Sequence, residues 1–242
     1  MTIRLSDFDA LSFDCYGTLI DWEQGIWAAT AEWRTRTGVS IERDALLEAH
    51  GALESAAEAA NPSMRYPDIL GLVMAGLGQR FGSPATADES TRFGASVPDW
   101  PAFPDSVDAL RRLGERYRLI ILSNVDRDSF VASNARLGVT FDAILTAQDI
   151  GSYKPDPRNF VALLAGASTL GVREGSLLHV AQSLYHDHVP AKSAGLATVW
   201  IDRRHDSAGP GATPEPPTFV SPDLIFESMA AFADACEADP AT

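Results

Sequence analysis

Short runs dominated by apolar residues recur along the chain at 8–14 (Phe-Asp-Ala-Leu-Ser-Phe-Asp), 118–123 (Arg-Leu-Ile-Ile-Leu-Ser), 142–146, 176–181 and 196–201. Near-continuous apolarity over so few residues is the pattern of parallel strands covered on both faces. Stretches of helical period lie between them. Residues 105–116 begin with Asp105 as a candidate cap and carry Val107, Leu110 and Leu113 at helical spacing. Further helices are predicted over about 127–137, 157–169 and 187–194. Strand and helix in alternation predict an α/β fold, a doubly wound (Rossmann-like) parallel sheet. A site in such a sheet lies beyond the carboxyl ends of the strands.

The segment 21–99 breaks this rhythm. It reads as helical throughout, with Trp22, Trp27 and Trp33 near its start and an alanine-rich stretch at 52–60. Gly38, Asn61-Pro62 and Gly82-Ser83-Pro84 interrupt it, and Pro98, Pro101 and Pro104 mark the return to the sheet. We expect a helical cap over 21–99, inserted into a core made of 1–20 and 100–242. Residues 203–223, rich in Pro, Gly and Ser, are expected to form a surface loop ahead of a last strand or helix around 224–237.

Candidate chemistry sits at the strand ends. FDCYGTLID at 13–21 places Asp14 on a strand tip, Gly17 where the chain must turn sharply, and Thr18 within reach of the carboxylate. On its own this pattern better describes an aspartate that merely caps a turn. Three more signals follow in order. Ser123-Asn124 closes the second strand, Lys154 stands in SYKPDPRNF just ahead of Pro155 and Pro157, which stiffen the backbone around it, and Asp187 follows the strand at 176–181 within HVAQSLYHDHVPA. Lys154 is one of only two lysines, with Lys192. A nearby ammonium lowers a carboxylate's pKa by roughly 1–3 units, which would keep Asp14 ionised.

These motifs, in this order, resemble the haloacid dehalogenase superfamily and its L-2-haloacid dehalogenase (type II) branch, over the whole chain. The resemblance implies Asp14 as a covalent nucleophile, Thr18, Ser123 and Asn124 as orienting groups, Lys154 as the nucleophile's charge partner and Asp187 as the acid of the last motif. It implies hydrolysis of a small 2-haloacid through an aspartyl ester, with Tyr16 and Asn124 on the substrate side; it also admits a homodimer. Enzymes of that branch carry a cap arginine for the substrate carboxylate. The corresponding stretch, LLEAHGALESAAEAA at 46–60, has none, so Arg65 in MRYPDIL is the candidate to supply the charge. Phe160 stands where those enzymes have a tyrosine.

Most members of the superfamily are magnesium phosphatases, and two positions argue against that reading. The residue two after the nucleophile, an aspartate that protonates the departing alkoxide in the phosphatases, is Tyr16; general acid help is worth ~10²–10⁴-fold. Where they carry Gly-Asp, whose aspartate holds magnesium, this chain has Ala181-Gln182, and an amide is a poor ligand for a hard cation. No metal and no cofactor are therefore expected. The competing readings are a magnesium phosphatase with an atypical metal site and a non-catalytic binding protein on the same fold. His179, His186 and His188 lie near Asp187 in sequence without the spacing of a ligand set; His186 or His188 is the better candidate to assist water attack. His50 reads as an ordinary surface or packing histidine, and Cys15 as core filler.

Charge narrows the partners. Thirty-three acidic residues against 19 basic give a net charge of −14, a field that repels nucleic acid and anionic membrane surfaces. No apolar run approaches the roughly 18 residues of a membrane span, and the first residues lack a secretory pattern, so a cytoplasmic enzyme acting on a small molecule is expected.

Overall fold

The computed structural model describes residues 3–173 and 175–239. Six strands form one parallel sheet: β1 (Ala10–Phe13), β2 (Arg118–Ser123), β3 (Ala143–Thr146), β4 (Leu177–Ala181), β5 (Ala197–Ile201) and β6 (Leu224–Phe226), in the order β3-β2-β1-β4-β5-β6. The doubly wound α/β fold read from the sequence is thus present. Every residue of the central strands β1 and β4 is buried, which explains their unbroken apolar runs, while the edge strands β3 and β6 are only partly covered. The order reverses between β1 and β4, so the chain leaves these neighbours toward opposite sides and opens a crevice at their carboxyl ends.

Five helices stand between β1 and the next core helix: α1 (Trp22–Ala29), α2 (Ala31–Thr37), α3 (Arg43–Ala60), α4 (Tyr66–Arg80) and α5 (Ala87–Gly94). The core then continues with α6 (Ser106–Gly114), α7 (Arg127–Leu137), α8 (Ala147–Ile150), α9 (Pro157–Thr169), α10 (Val189–Ser193) and α11 (Met229–Ala238). Alternation along the strands sorts the packing. Leu11, Phe13 and Ile121 face one core with α6, α7 and α11, whereas Ala10, Ile120 and Leu122 face Phe160 and Leu163 of α9 on the other side. The last segment is both a strand and a helix, joined within three residues.

Three local expectations need correction. Of the predicted stripe of α6, Leu110 and Leu113 are buried but Val107 is exposed, and Ser106 and Ala109 complete the buried face instead. Asp105 does not cap α6 with its side chain; it pairs with Arg203 at 2.9 Å and accepts from the Ala230 N–H. The stretch 203–223 is not all surface. Ala212 is fully buried, its N–H bound by Glu23 of α1 at 2.9 Å, and its carbonyl lies so close to Gly51 of α3 that no Cβ fits between them. Phe219, further along, is almost wholly exposed.

Candidate active site

Asp14 is the first residue past β1, and its N–H donates to the Val180 carbonyl on β4 at 3.1 Å, fixing it over the crevice. The chain then turns at Gly17, whose φ of +92° is open to glycine at little cost, and a Cβ there would crowd the Trp22 indole and the Gln182 amide. The turn brings the Thr18 hydroxyl back to Asp14 Oδ2 at 2.7 Å, and Thr18 Oγ1 accepts the Gln182 N–H at 2.9 Å. Arg203 holds this turn from outside, donating to the Thr18 carbonyl through Nη2 at 2.9 Å.

Lys154 enters from the loop before α9. Its ammonium donates to Asp14 Oδ1 at 2.8 Å, Asp187 Oδ1 at 2.8 Å and the Leu122 carbonyl at 3.0 Å, which uses all three of its donors. Asn124 holds that loop: its Oδ1 accepts from the Lys154 N–H at 2.7 Å and its Nδ2 donates to the Lys154 carbonyl at 3.1 Å. Asp187 lies in a π-helical turn (Leu184–His188) after β4. Its Oδ1 also accepts from His179 Nε2 at 3.0 Å, and His179 Nδ1 lies 2.9 Å from the Ser12 hydroxyl. Asp187 Oδ2 is buried without a partner.

Two carboxylates on one ammonium are not equivalent. Burial pushes Asp14 above the usual carboxylate range, Lys154 opposes this, and the charge of Asp187 adds to it. Asp187 is held well below that range: Lys154 and His179 together outweigh its burial. Lys154 stays charged despite its burial because it faces both. The expectation that Lys154 brings Asp14 below the ordinary carboxylate range is therefore not met, since desolvation is the larger influence.

The cavity above Asp14 holds ≈ 30 Å³, room for about one water. Tyr16, Asn124, Lys154 and Asp187 line it from the core. Thr18 and Ser123 are buried behind this wall, and the Ser123 hydroxyl has no partner. Arg65 is not brought to the site: half-exposed, it pairs with Asp126 at 3.2 Å and Asp128 at 3.0 Å, both at the start of α7. The helical insert after β1 instead contributes Glu54, Glu58 and Tyr66, none of which stood out in the sequence. The signal was present, because His50, Glu54 and Glu58 recur every four residues on the buried face of α3. Thr213, from the stretch expected to be surface, also lines the cavity and donates to Gln182 Oε1 at 3.1 Å.

Of the histidines, His179 rather than His186 or His188 touches Asp187. His186 lines the cavity and burial depresses it to about 4, so it is neutral near neutral pH. His188 donates from Nε2 to the Ala181 carbonyl at 3.0 Å. His50 is fully buried against Trp22 and Phe93 and is depressed to about 3 by burial. Phe160 packs edge-on against His179, and Cys15 is buried in the core.

The donor set does not suit a divalent cation. Magnesium needs hard anionic oxygens around it, yet the space between Asp14 and Asp187 is taken by the Lys154 ammonium, and Gln182 offers only an amide already bound to Thr213. Among the described residues no three His, Cys, Asp or Glu side chains are arranged to hold a metal ion.

This geometry is a buried carboxylate with a lysine partner at a topological switch point. The sequence model of one family, haloacid dehalogenase-like hydrolases, matches residues 8–167. The chain belongs to that family. Among haloacid dehalogenase-like hydrolases it is 34% identical over 102 residues, 41% of each chain, to an (S)-2-haloacid dehalogenase of Pseudomonas sp. strain YL. It is 25% identical over 217 residues to (S)-2-haloacid dehalogenase H-109 of Pseudomonas putida, covering 83% of this chain and 88% of that one. The fold matches the L-2-haloacid dehalogenase of Xanthobacter autotrophicus, solved with chloropropionic acid covalently bound, with a TM-score of 0.72 and 19% identity over 96% of this chain and 100% of that one. No helix among the described residues is long and apolar enough to cross a membrane.

Proposed function

We propose that this hydrolase displaces halide from a small 2-haloalkanoate through an ester on Asp14, without a metal. The observation that carries the reading is the ammonium of Lys154 held 2.8 Å from both Asp14 and Asp187. A fixed, buried counter-charge takes the role that a metal ion plays in phosphoryl transfer, and it leaves Asp14 a carboxylate poor in solvation and hence reactive. The similarity to two (S)-2-haloacid dehalogenases supports the substrate class. We further infer that 21–99 acts as the cap over a core of 1–20 and 100–242, which the position of Glu54, Glu58 and Tyr66 above Asp14 supports.

In the first step an oxygen of Asp14 attacks C2, the carbon–halogen bond breaks with its electron pair, and halide leaves as the ester forms with inversion. Halide departs as a stable anion and needs no proton, consistent with Tyr16 at the position two beyond the nucleophile. The Tyr16 hydroxyl lies 2.7 Å from Ser133 and burial raises its pKa well above the ordinary tyrosine value, so it is no general acid. In the second step water adds to the ester carbonyl, the adduct expels the 2-hydroxyacid oxygen, which takes one proton of the water while the other is released, and Asp14 is regenerated as a carboxylate. We assign Asp187 Oδ2, buried and without a partner, to orienting that water, while Lys154 offsets the negative charge of Asp14 before the ester forms and once it is cleaved.

The test is halide release from (S)-2-chloropropionate in the presence of EDTA, with Asp14→Asn inactive. A single turnover in heavy-oxygen water should leave label in the Asp14 carboxylate, as shown by mass analysis of its peptide. Absence of label, or turnover of nitrophenyl phosphate that requires magnesium, overturns the reading.

A further inference from the structure

A substrate carboxylate meets an unusual environment in this cavity. Among the described residues Lys154 is the only lysine or arginine that lines it, and its three donors are committed to Asp14, Asp187 and Leu122. Arg65 is engaged elsewhere. The cap wall carries two carboxyl groups, Glu54 and Glu58, 3% and 4% exposed, one helical turn apart on α3. Glu54 Oε1 accepts from the Tyr66 hydroxyl at 2.7 Å, and Glu58 Oε2 accepts from Asn124 Nδ2 at 3.2 Å. The other oxygen of each makes no hydrogen bond among the described residues, and both residues line the cavity that contains Asp14. A wall so built either rejects carboxylates or meets them as an acid.

We propose that Glu54 and Glu58 are the specificity-determining residues, recognising the substrate carboxylate as protonated carboxyl groups that donate hydrogen bonds where related enzymes use a cation. The inference rests on the haloacid reading of the same site. With both glutamates ionised, an incoming carboxylate would be the fifth negative charge around one ammonium. With both protonated it is the third, and it finds two O–H donors whose bonds to an anion are of the stronger, charge-assisted kind. Tyr66 and Asn124 hold the accepting oxygen of each glutamate, which leaves the free oxygen of each as the place for its proton.

The surroundings favour the protonated forms. Burial pushes Glu54 up to about 7, against the Tyr66 hydrogen bond. Burial and then the charge of Glu54 push Glu58 well above the ordinary value, against Lys154 and Asn124. The titratable groups facing the pair are Tyr66 from α4, Tyr16 and Asp14 after β1, Tyr153 and Lys154 before α9, and His186 and Asp187 after β4. The three tyrosines are raised by burial and His186 is depressed to about 4, so none of these four changes charge near pH 7. Binding is thereby linked to proton uptake, and affinity for a carboxylate falls as pH rises through the range where the glutamates ionise, about tenfold per pH unit for each proton required.

Propionate, an unreactive carboxylate, separates recognition from chemistry. Calorimetry of propionate binding to the wild-type enzyme at pH 8, in buffers of different ionisation enthalpy, should show uptake of at least half a proton per ligand. The affinity should fall about tenfold or more from pH 7 to pH 9. In Glu54→Gln with Glu58→Gln, which keeps neutral donors, proton uptake and pH dependence should both disappear. The corresponding double alanine variant, which lacks the donors, should bind at least tenfold more weakly than the glutamine variant at every pH. Binding with no proton uptake, pH dependence that survives in the glutamine variant, or preference for propionamide or propylamine over propionate would overturn the proposal. Halide release is scored separately. Proton-linked propionate binding without any halide release from 2-chloropropionate would leave the recognition right and the reaction wrong.

Discussion

Replacing Lys154 by methionine removes the one charge that Asp14 and Asp187 share while nearly preserving the volume of the side chain. The lysine side chain is 1% exposed and lies 2.8 Å from each carboxylate. Without it, two carboxyl groups are buried together with no counter-charge, and breaking such a pair costs about 3–5 kcal/mol of stability. The catalytic consequence follows from ionisation. An opposite charge at this distance lowers a carboxyl pKa by roughly 1–3 units, so its loss raises Asp14 by as much, on top of the rise that burial already imposes. Only the ionised form attacks carbon. On the limb where Asp14 is mostly protonated, its reactive fraction therefore falls ~10–10³-fold. Raising the pKa moves the acid limb of the pH–rate profile to higher pH, so the deficit should shrink as pH rises. Halide release by Lys154→Met, followed from pH 5 to pH 10 beside urea denaturation at pH 7, measures both. A variant within twofold of wild type at pH 7, with an unshifted acid limb, would refute the view that Lys154 controls the nucleophile. Should Lys154→Met not fold, Asp187→Asn gives the converse test. Removing that negative charge should lower the Asp14 pKa and move the acid limb down.

Glu54→Gln tests the ionisation of the cap directly. A carboxyl raised from 4.5 to about 7 on folding leaves stability complete below pH 4.5 and removes about 3 kcal/mol of it between there and pH 7. The glutamine variant should therefore be more stable than wild type at pH 8 and equal to it near pH 4.5 by urea denaturation; a less stable variant at pH 8 contradicts the burial argument. Arg65→Ala should change KM for 2-chloropropionate less than twofold and stability by no more than about 1 kcal/mol, since Arg65 forms only half-exposed ion pairs; a tenfold rise in KM would return it to the site. Gly51→Ala adds a Cβ against the Ala212 carbonyl, so despite the better helix propensity of alanine it should cost about 1–3 kcal/mol. It should also raise KM by displacing Thr213, whereas a stabilised variant would show that the 203–223 stretch does not press on α3.

The sheet was legible because buried parallel strands carry no polar face to confuse their boundaries, and the apolar runs at 118–123, 176–181 and 196–201 fall within one residue of β2, β4 and β5. The groups around Asp14 were legible for a related reason. A doubly wound topology delivers the ends of β1, β2 and β4 to one edge, so residues read at separate strand ends, Asp14, Asn124, Lys154 and Asp187, meet there. What the sequence does not carry is partnership. Arg65 was picked for its charge, yet its charge is spent on Asp126 and Asp128, acidic residues 61 and 63 positions away. The periodicity of α3 places Glu54 and Glu58 on its buried face, but only the tertiary structure shows that this face looks onto Asp14. Likewise nothing local distinguishes Ala212 and Thr213 from the exposed residues around Phe219, because burial of a loop is decided by what passes over it.

The charge balance of the site also bears on which hydrolysis it can perform. A phosphate monoester brings up to two negative charges and a leaving alkoxide that needs a proton. Here the single cation is already neutralised by Asp14 and Asp187, the cap adds two more carboxyl groups, and the hydroxyl of Tyr16 is tied to Ser133 and hard to ionise. Without a cation to offset it, each additional buried charge costs several kcal/mol, so a dianion is disfavoured twice, on entry and at bond cleavage. A haloacid carries one negative charge, which two protonated glutamates can meet, and its leaving group departs with the electrons and requires nothing from the protein. The same shortage of positive charge that excludes the phosphate therefore costs the dehalogenation little, provided the cap holds its protons, and it ties the activity of this enzyme to pH through the substrate side of the cavity as well as through Asp14.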